Sequence, residues 1–509
     1  MSKANLIIKN TMWLYAKMAI TMFISLYTTR LILNALGVVD FGIYAIVGGA
    51  IGMLGFLNGA MSSATQRFMS YAEGQGNQEK KIGVFNVSIV IHLCLALIIA
   101  IVLLIAGFVY FNGILNIPES RMLAAKFVYG CLIFSTFLTV INVPYEAVMN
   151  AHENMRYYAL VGILESLLKL TVALVCVSTN YDKLIVYGIL MACIPVVTLS
   201  IMKVYCHKRY TECILKPFKY FRKDLAKEML GFTGWNFFAV AATMIANYGL
   251  GIVTNAFYGV IMNTALAIAQ QVDALLKIFS NNMLKALNPV IVKSAGAGDK
   301  NSFLKATFIG SKFSFFVFVF FSIPFLIETP YILKIWLGNV PDWAVLFCRL
   351  QVVASVLGQL TVTFPTAIGA NGKIKSISVG TGIIYLFSVF ITFVMFKFGY
   401  PPYCMYLSII LLNVVGYRIL GVLVFHHLLK VDYIDVLKEC VIPCIVVFLL
   451  SFGLTFLLTF LYEECFLRLC FTCVISCCIF ILFVFVLGIN ITERNILLNL
   501  FYSIKKRFA

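Results

Sequence analysis

Thr11-Met12-Trp13 and Ala19-Ile20-Thr21-Met22, near the start of the chain, are written again as Thr233-Gly234-Trp235 and Ala241-Ala242-Thr243-Met244. The same shift of 222 positions carries Gly37 onto Gly259, Ala45-Ile46 onto Ala267-Ile268, and the loop Gly74-Gln75-Gly76-Asn77 onto Gly296-Ala297-Gly298-Asp299. With a slip of one residue, Asn116-Ile117-Pro118-Glu119 meets Asn339-Val340-Pro341-Asp342. Each copy opens a set of six long apolar segments. Six crossings return the chain to its starting side, so the repeat predicts two parallel six-helix lobes related by a pseudo-two-fold axis, a layout suited to alternating access.

The composition places these segments in a bilayer. With 62% hydrophobic and 12% charged residues, and a mean hydropathy of +0.97, the chain carries more apolar side chain than a soluble core can bury. Apolar runs of about 20 residues occur fourteen times, centred from Met22 to Cys477. The fold class expected is therefore an all-α polytopic membrane protein of about 14 transmembrane helices, twelve in the repeat and two more at the C-terminal end. The first run lacks a small-residue cleavage site after a short apolar core and reads as a retained span.

Lys and Arg gather on one side of the predicted spans. Lys80-Lys81, Lys208-Arg209, Lys216 to Lys227, and Lys505-Lys506-Arg507 fall on the side of the N-terminus, whereas the other side holds only Arg121, Lys183, Lys334, Lys397 and Arg468. That asymmetry predicts N-in, C-in topology. It also accounts for the net charge of +18 through anionic inner-leaflet lipid, so nucleic acid is not the implied partner. The expected organisation is an N-lobe over 1–207, a basic cytoplasmic linker over 208–228, a C-lobe over 229–428, and 429–509 as two further spans with a basic tail. The linker, with Lys216-Pro217-Phe218-Lys219 at its centre, reads as an amphipathic surface segment.

No catalytic or metal centre is expected. The fifteen cysteines behave as small apolar residues, and Cys470, Cys473, Cys477 and Cys478 lie within one apolar helix with no histidine nearby. The five histidines form no ligand cluster in the sequence. Gly296-Ala297-Gly298-Asp299-Lys300 lacks the upstream glycine and the Lys-Ser/Thr pair of a phosphate loop.

Ionisable residues inside spans are the informative remainder, because each costs about 2.5–3.5 kcal/mol at a helix centre on insertion scales. Lys169 follows Glu165 by four residues and reads as a neutralised pair. Lys277 follows Asp273 in the same way, on a helix whose polar stripe includes Asn263, Gln270 and Asn281. A lipid-facing helix would not carry that stripe, so it is expected to line a wet cavity. Lys126 and Arg349 are repeat mates, each eight residues past its turn, placed either to snorkel outward or to face the cavity. Lys17 and Arg30 share the first span but lie about 220° apart around it, so they cannot share a face. Arg418 completes the candidate set. The substrate-binding candidates are Arg30, Lys277, Lys17, Arg349, Lys126, Arg418 and Gln270, with Asp273 as a candidate for ion coupling. In the second span Gly48, Gly52, Gly55 and Gly59 make one smooth face for close helix packing or bending.

Arg30, Gly37 and Phe41-Gly42-Ile43-Tyr44 resemble the first-loop pattern of the polysaccharide-transporter branch of the multidrug/oligosaccharidyl-lipid/polysaccharide (MOP) superfamily. Gln66-Arg67-Phe68 and Asn288-Pro289 are similar to helix ends in that branch. The resemblance spans the whole chain and implies a Wzx-type oligosaccharide (O-antigen or capsule repeat-unit) flippase. Such a protein is not an enzyme. It would move an undecaprenyl-diphosphate-linked oligosaccharide from the cytoplasmic to the outer leaflet of the bacterial inner membrane, for surface polysaccharide biosynthesis. Its implied partners are that lipid-linked glycan, membrane lipid and polysaccharide polymerase machinery. No cofactor is implied; H⁺, Na⁺ or the membrane potential would supply the drive. The alternatives are a MATE-like cation/drug antiporter, which would need unpaired carboxylates in its lobes, and a membrane-embedded glycan-processing enzyme, which would need catalytic acids on larger outer loops than these.

Overall fold

The computed structural model describes residues 3–52, 55–114, 117–459, 463–490 and 493–494. Asn116 of the first turn motif and the basic C-terminal tail lie outside them. Among the described residues every regular element is a helix, as a hydrocarbon environment requires of a chain that must satisfy its own backbone. We number them α1 (Lys3–Gly52), α2 (Gly55–Gln75), α3 (Gln78–Val109), α4 (Met122–Ala151), α5 (Met155–Ser178), α6 (Lys183–Arg209), α7 (Lys223–Gly296) and α8 (Lys300–Leu337). Then follow α9 (Ala344–Ala370), α10 (Lys375–Lys397), α11 (Cys404–Leu429), α12 (Tyr433–Leu457) and α13 (Phe466–Gly488).

Among the described residues twelve helices are long and apolar enough to cross a membrane, where the sequence predicts fourteen. The two that fall short are the second of each repeat: the stretch after Gly37 that ends with α2, whose description is interrupted at 53–54, and the half of α7 beyond Gly259. Both are polar. The first carries Asn58, Ser62, Ser63, Gln66 and Arg67, and the second Asn263, Gln270, Asp273 and Lys277.

The repeat recurs in the backbone. α1 breaks at Gly37 (φ 75°, ψ 172°) and α7 breaks at its mate Gly259 (φ 78°, ψ −172°), a conformation open to glycine and closed to residues with a Cβ. The turns after the second helices match as well. Gly76 and Gly298 both have positive φ. Each is followed by an N-cap, where Asn77 accepts from the Lys80 amide and Asp299 from the Ser302 amide.

Two compact units form. One comprises Lys9–Phe237 and Val292–Gly298, the other the described residues of Met1–Ile8, Phe238–Ile291 and Asp299–Ala509. The first is built on small and branched residues such as Val47, Leu103, Ala125, Val128, Ala173 and Cys176, all buried. Within it Gly74 packs so closely that a Cβ would lie 2.0 Å from the Lys293 carbonyl oxygen, and Gly296 so closely that one would lie 2.2 Å from that of Tyr71. These four positions exchange under the 222-residue shift. The linker is tied down in the same unit: buried Asn86 of α3 donates to the Ile214 carbonyl and accepts from the Lys216 amide.

The second unit has a phenylalanine-rich core, with Phe315 and Phe318 of α8 against Phe347 of α9 and Tyr406 of α11. α13 is fastened to α8 by charge at two levels. Buried Glu328 accepts from Arg468 (2.9 Å) and from the Thr472 hydroxyl (2.9 Å). Buried Lys312 pairs with Glu493, just past α13, at 2.7 Å, their side chains 1% and 7% exposed. The last two helices are thus integral to this unit. Large apolar residues point outward on both units, among them Phe23, Phe108, Phe390 and Leu467, the surface a lipid environment favours.

Two outcomes test this packing by thermal unfolding of the detergent-solubilised protein. Gly74→Ala and Gly296→Ala each lose about 1–3 kcal/mol, since backbone must move to admit the methyl group, while Gly42→Ala, with open space around it, stays within about 0.5 kcal/mol. Lys312→Met or Glu493→Gln alone costs roughly 3–5 kcal/mol, and the double variant recovers most of the loss.

Candidate functional site

On the polar stripe beyond Gly259, Gln270 is exposed on α7 and Asp273 follows one turn later. Asp273 is buried. Its Oδ2 accepts from Lys277 Nζ at 2.7 Å and from Gln351 Nε2 of α9 at 3.1 Å, and its Oδ1 is buried without a hydrogen-bond partner. One turn past Lys277, Ser280 accepts from Gln359 Nε2 at 3.1 Å, and the Gln359 Oε1 is again without a partner. α7 and α9 therefore share a polar seam with two buried acceptor oxygens to spare. Gln351 and Gln359 lie outside the sequence-derived set; glutamines inside the apolar tenth span were the signal that would have found them.

Arg349, expected beside the substrate, is committed to the backbone instead. Its Nε donates to the Leu326 carbonyl (3.1 Å) and its Nη2 to that of Ile327 (3.2 Å). Pro330 has no amide to reach back to Leu326, and α8 departs from helical geometry at Glu328, so the arginine serves an acceptor the proline leaves free. Its repeat mate Lys126 is exposed and lies 6.0 Å from the Phe111 ring. Equivalent positions have thus taken different tasks.

The other cations are dispersed. Lys17 sits 4.4 Å above the Tyr158 ring of α5, its side chain lying across Gly162. Arg30 is exposed on α1, seven residues before the break at Gly37. Lys169 pairs with Glu165 at 2.6 Å as expected.

Arg418 differs from all of these. It lies within α11 beside an apolar groove of about 390 Å³ whose walls come from α9, α11 and α12, among them Leu357, Val414, Ile419, Leu423 and Leu437. Ile419, Leu423 and Leu437 are exposed, so the groove opens at the surface. The α11 and α12 walls contain π-helical turns, Ile409–Gly416 and Leu437–Val441, a local widening common at functional sites. Arg418 Nη1 donates to the Thr361 carbonyl (3.2 Å), its guanidinium lies 5.2 Å from the Tyr417 ring, and its Nε is buried without a partner. Among the described residues no carboxylate lies within ion-pair distance of Arg418.

A second cluster escaped the sequence reading altogether. The histidines give no motif, yet His152 gathers with Glu73 and Glu212 because the ends of α2 and α4 and the start of the linker meet. The two carboxylates face opposite ring nitrogens.

In comparisons with solved structures, the chain is similar to a MATE transporter in the bent conformation (TM-score 0.72, 15% identity, covering 84% of this chain and 96% of that one). It is also similar to the outward-facing form of a multidrug resistance MATE family transporter of the MOP superfamily (TM-score 0.71, 15% identity, 84% and 97%). The fold is that of the MATE transporters. A MOP superfamily transporter from Pyrococcus furiosus, described as having a binding pocket of reverse polarity that suggests a different function, shares it too (TM-score 0.67, 14% identity, 85% and 99%). No family model matches the chain, and no curated protein sequence matches it. With twelve apolar helices on a MATE fold, the chain is a multi-pass membrane protein.

The role assigned to Arg349 gives a definite expectation. Arg349→Ala lowers unfolding stability by about 1–3 kcal/mol, the cost of an unsatisfied buried acceptor. Adding Pro330→Ala, which restores an amide to Leu326, returns part of it in a double-mutant cycle.

Proposed function

We propose that this protein is a flippase that carries an undecaprenyl-diphosphate-linked oligosaccharide from the cytoplasmic to the outer leaflet of a bacterial inner membrane, for surface polysaccharide assembly. The observation that carries the reading is Arg418, a guanidinium without an acidic partner among the described residues, at an apolar groove open to the surface. A bare cation in a span costs about 2.5–3.5 kcal/mol on insertion scales. A phosphate returns charge-assisted, bidentate hydrogen bonds to it, and the groove suits an isoprenoid chain attached to that phosphate. By contrast Glu165, Asp273 and Glu328 all have basic partners within 2.9 Å. The in-span chemistry favours an anionic amphiphile over a cationic drug.

In this reading both termini face the cytoplasm, the two repeats form lobes that alternate access, and the polar second helices of each repeat face the path rather than lipid. Lys277, Gln270, Arg30 and Lys17 then help to hold diphosphate and glycan. Burying an unpaired glycan and diphosphate in hydrocarbon costs tens of kcal/mol, and fixed donors in place of water remove most of that. No nucleotide is needed. Two negative charges moving outward gain about 4–5 kcal/mol per 100 mV, inside negative, and consumption of the glycan by a polymerase outside adds a sink.

One observation favours the cation antiporter as a second reading. Asp273 keeps a buried oxygen without a partner, a ready ligand for H⁺ or Na⁺, and the fold serves either cargo. Leaflet exposure of an undecaprenyl-diphosphate glycan in proteoliposomes divides the two. Exposure that depends on the protein and rises with an inside-negative potential is expected. Arg418→Ala cuts it by about tenfold, the effect of losing one charge-assisted contact, with Lys277→Ala and Arg30→Ala acting in the same direction at unchanged protein level. Efflux of a cationic dye with no glycan exposure would establish the antiporter instead.

A further inference from the structure

His152 follows α4 at the end of the bundle where α2 and α6 also finish, the cytoplasmic end in the proposed orientation. Its ring stacks on Tyr210 of the linker, centroids 4.2 Å apart and planes within 11°. Nδ1 lies 3.5 Å from Oε1 of Glu73, in the last turn of α2, and Nε2 hydrogen-bonds Oε1 of Glu212. The remaining charged groups facing this site come from each neighbouring element. Lys81 of α3 meets the other Glu73 oxygen at 2.9 Å. Lys293, at the end of α7, lies 3.9 Å from Glu73 and 3.3 Å from Glu153. Glu153 itself is held in a left-handed conformation (φ 55°) while its carbonyl accepts from Asn10 of α1 at 2.8 Å.

Two features of this cluster bear on its protonation. A neutral imidazole has one N–H and one lone pair, so between two carboxylates it satisfies one and repels the other; the imidazolium donates to both. The charge count agrees. Three carboxylates (Glu73, Glu153, Glu212) face two ammonium groups (Lys81, Lys293), and one proton on His152 balances the set. We infer that His152 is a proton-binding site whose imidazolium bridges Glu73 and Glu212 and so latches the ends of α2 and α4, the linker and the end of α7.

The acid side of the latch has its own limit. Burial pushes the Glu212 carboxyl up, but the hydrogen bond from His152, with Lys81 nearby, holds it below the usual glutamate range. A depressed carboxylate contributes stability above its unfolded value and loses it as pH falls through the folded one. The latch is therefore made where Glu212 is ionised and His152 carries its second proton. It weakens toward acid as the first is lost and toward alkali as the second is.

This inference does not depend on the cargo, and its test uses the purified full chain. Unfolding temperature is followed from about pH 5 to about pH 8, the interval in which an imidazole changes charge, for wild type, His152→Gln, Glu73→Gln and, as a control, His207→Gln. Wild type and His207→Gln are expected to lose roughly 2–4 °C across the interval. His152→Gln is expected to be flat, and Glu73→Gln, which keeps the Glu212 bond and removes the bridge, to lose about half as much as wild type. ¹⁵N shifts of the ring, assigned by their disappearance in His152→Gln, should show both nitrogens protonated at the pH of greatest stability. The same alkaline loss in His152→Gln as in wild type would overturn the proposal. So would stabilisation by added Zn²⁺ that His152→Gln abolishes, which would make the site a metal centre.

Discussion

Hydrocarbon offers no partner to a backbone amide or to a charge, and each placed there unpaired costs several kcal/mol. Most of what distinguishes this structure follows from how that demand is met. Every regular element among the described residues is a helix, and where a helix fails, a side chain takes over. Pro330 deprives a carbonyl of its amide and Arg349 supplies a guanidinium; Glu328 sits at the break and is itself met by Arg468 and Thr472. Polar residues also collect on the second helix of each repeat, and among the described residues twelve other helices are long and apolar enough to cross a membrane.

Against that background the exceptions carry the functional argument. Asp273 Oδ1, Gln359 Oε1 and Arg418 Nε are among the buried atoms that find no protein partner among the described residues, in the same unit and on three different helices. Native structures satisfy most such groups, and ordered water is a common complement to those that remain. Arg418 stands apart because its surroundings are apolar.

Much of the fold is legible in the sequence because the repeat preserves backbone-critical residues. Gly37 and Gly259, Gly76 and Gly298, and the capping pair Asn77 and Asp299 keep their tasks across 222 positions, since a positive φ and an N-cap each admit few residue types. Side-chain roles do not copy in the same way. Lys126 and Arg349 are equivalent by register, yet one is exposed and the other serves the α8 carbonyls, because only the second repeat has a proline at that level. The short-range pairs Glu165–Lys169 and Asp273–Lys277 were readable from helical spacing. Long-range assemblies were not: Glu73, His152 and Glu212 sit in three separate turns, and nothing local marks them as neighbours.

The charge pairs between α8 and the end of α13 also say something about how such a chain can be shortened. A protein ending after α11 would leave Lys312 and Glu328 as isolated charges of opposite sign at two depths of one buried helix. The last two helices are therefore not a removable extension. A twelve-span relative of this chain would have to be rewritten on α8 first, and apolar residues at those two positions would be the mark of it.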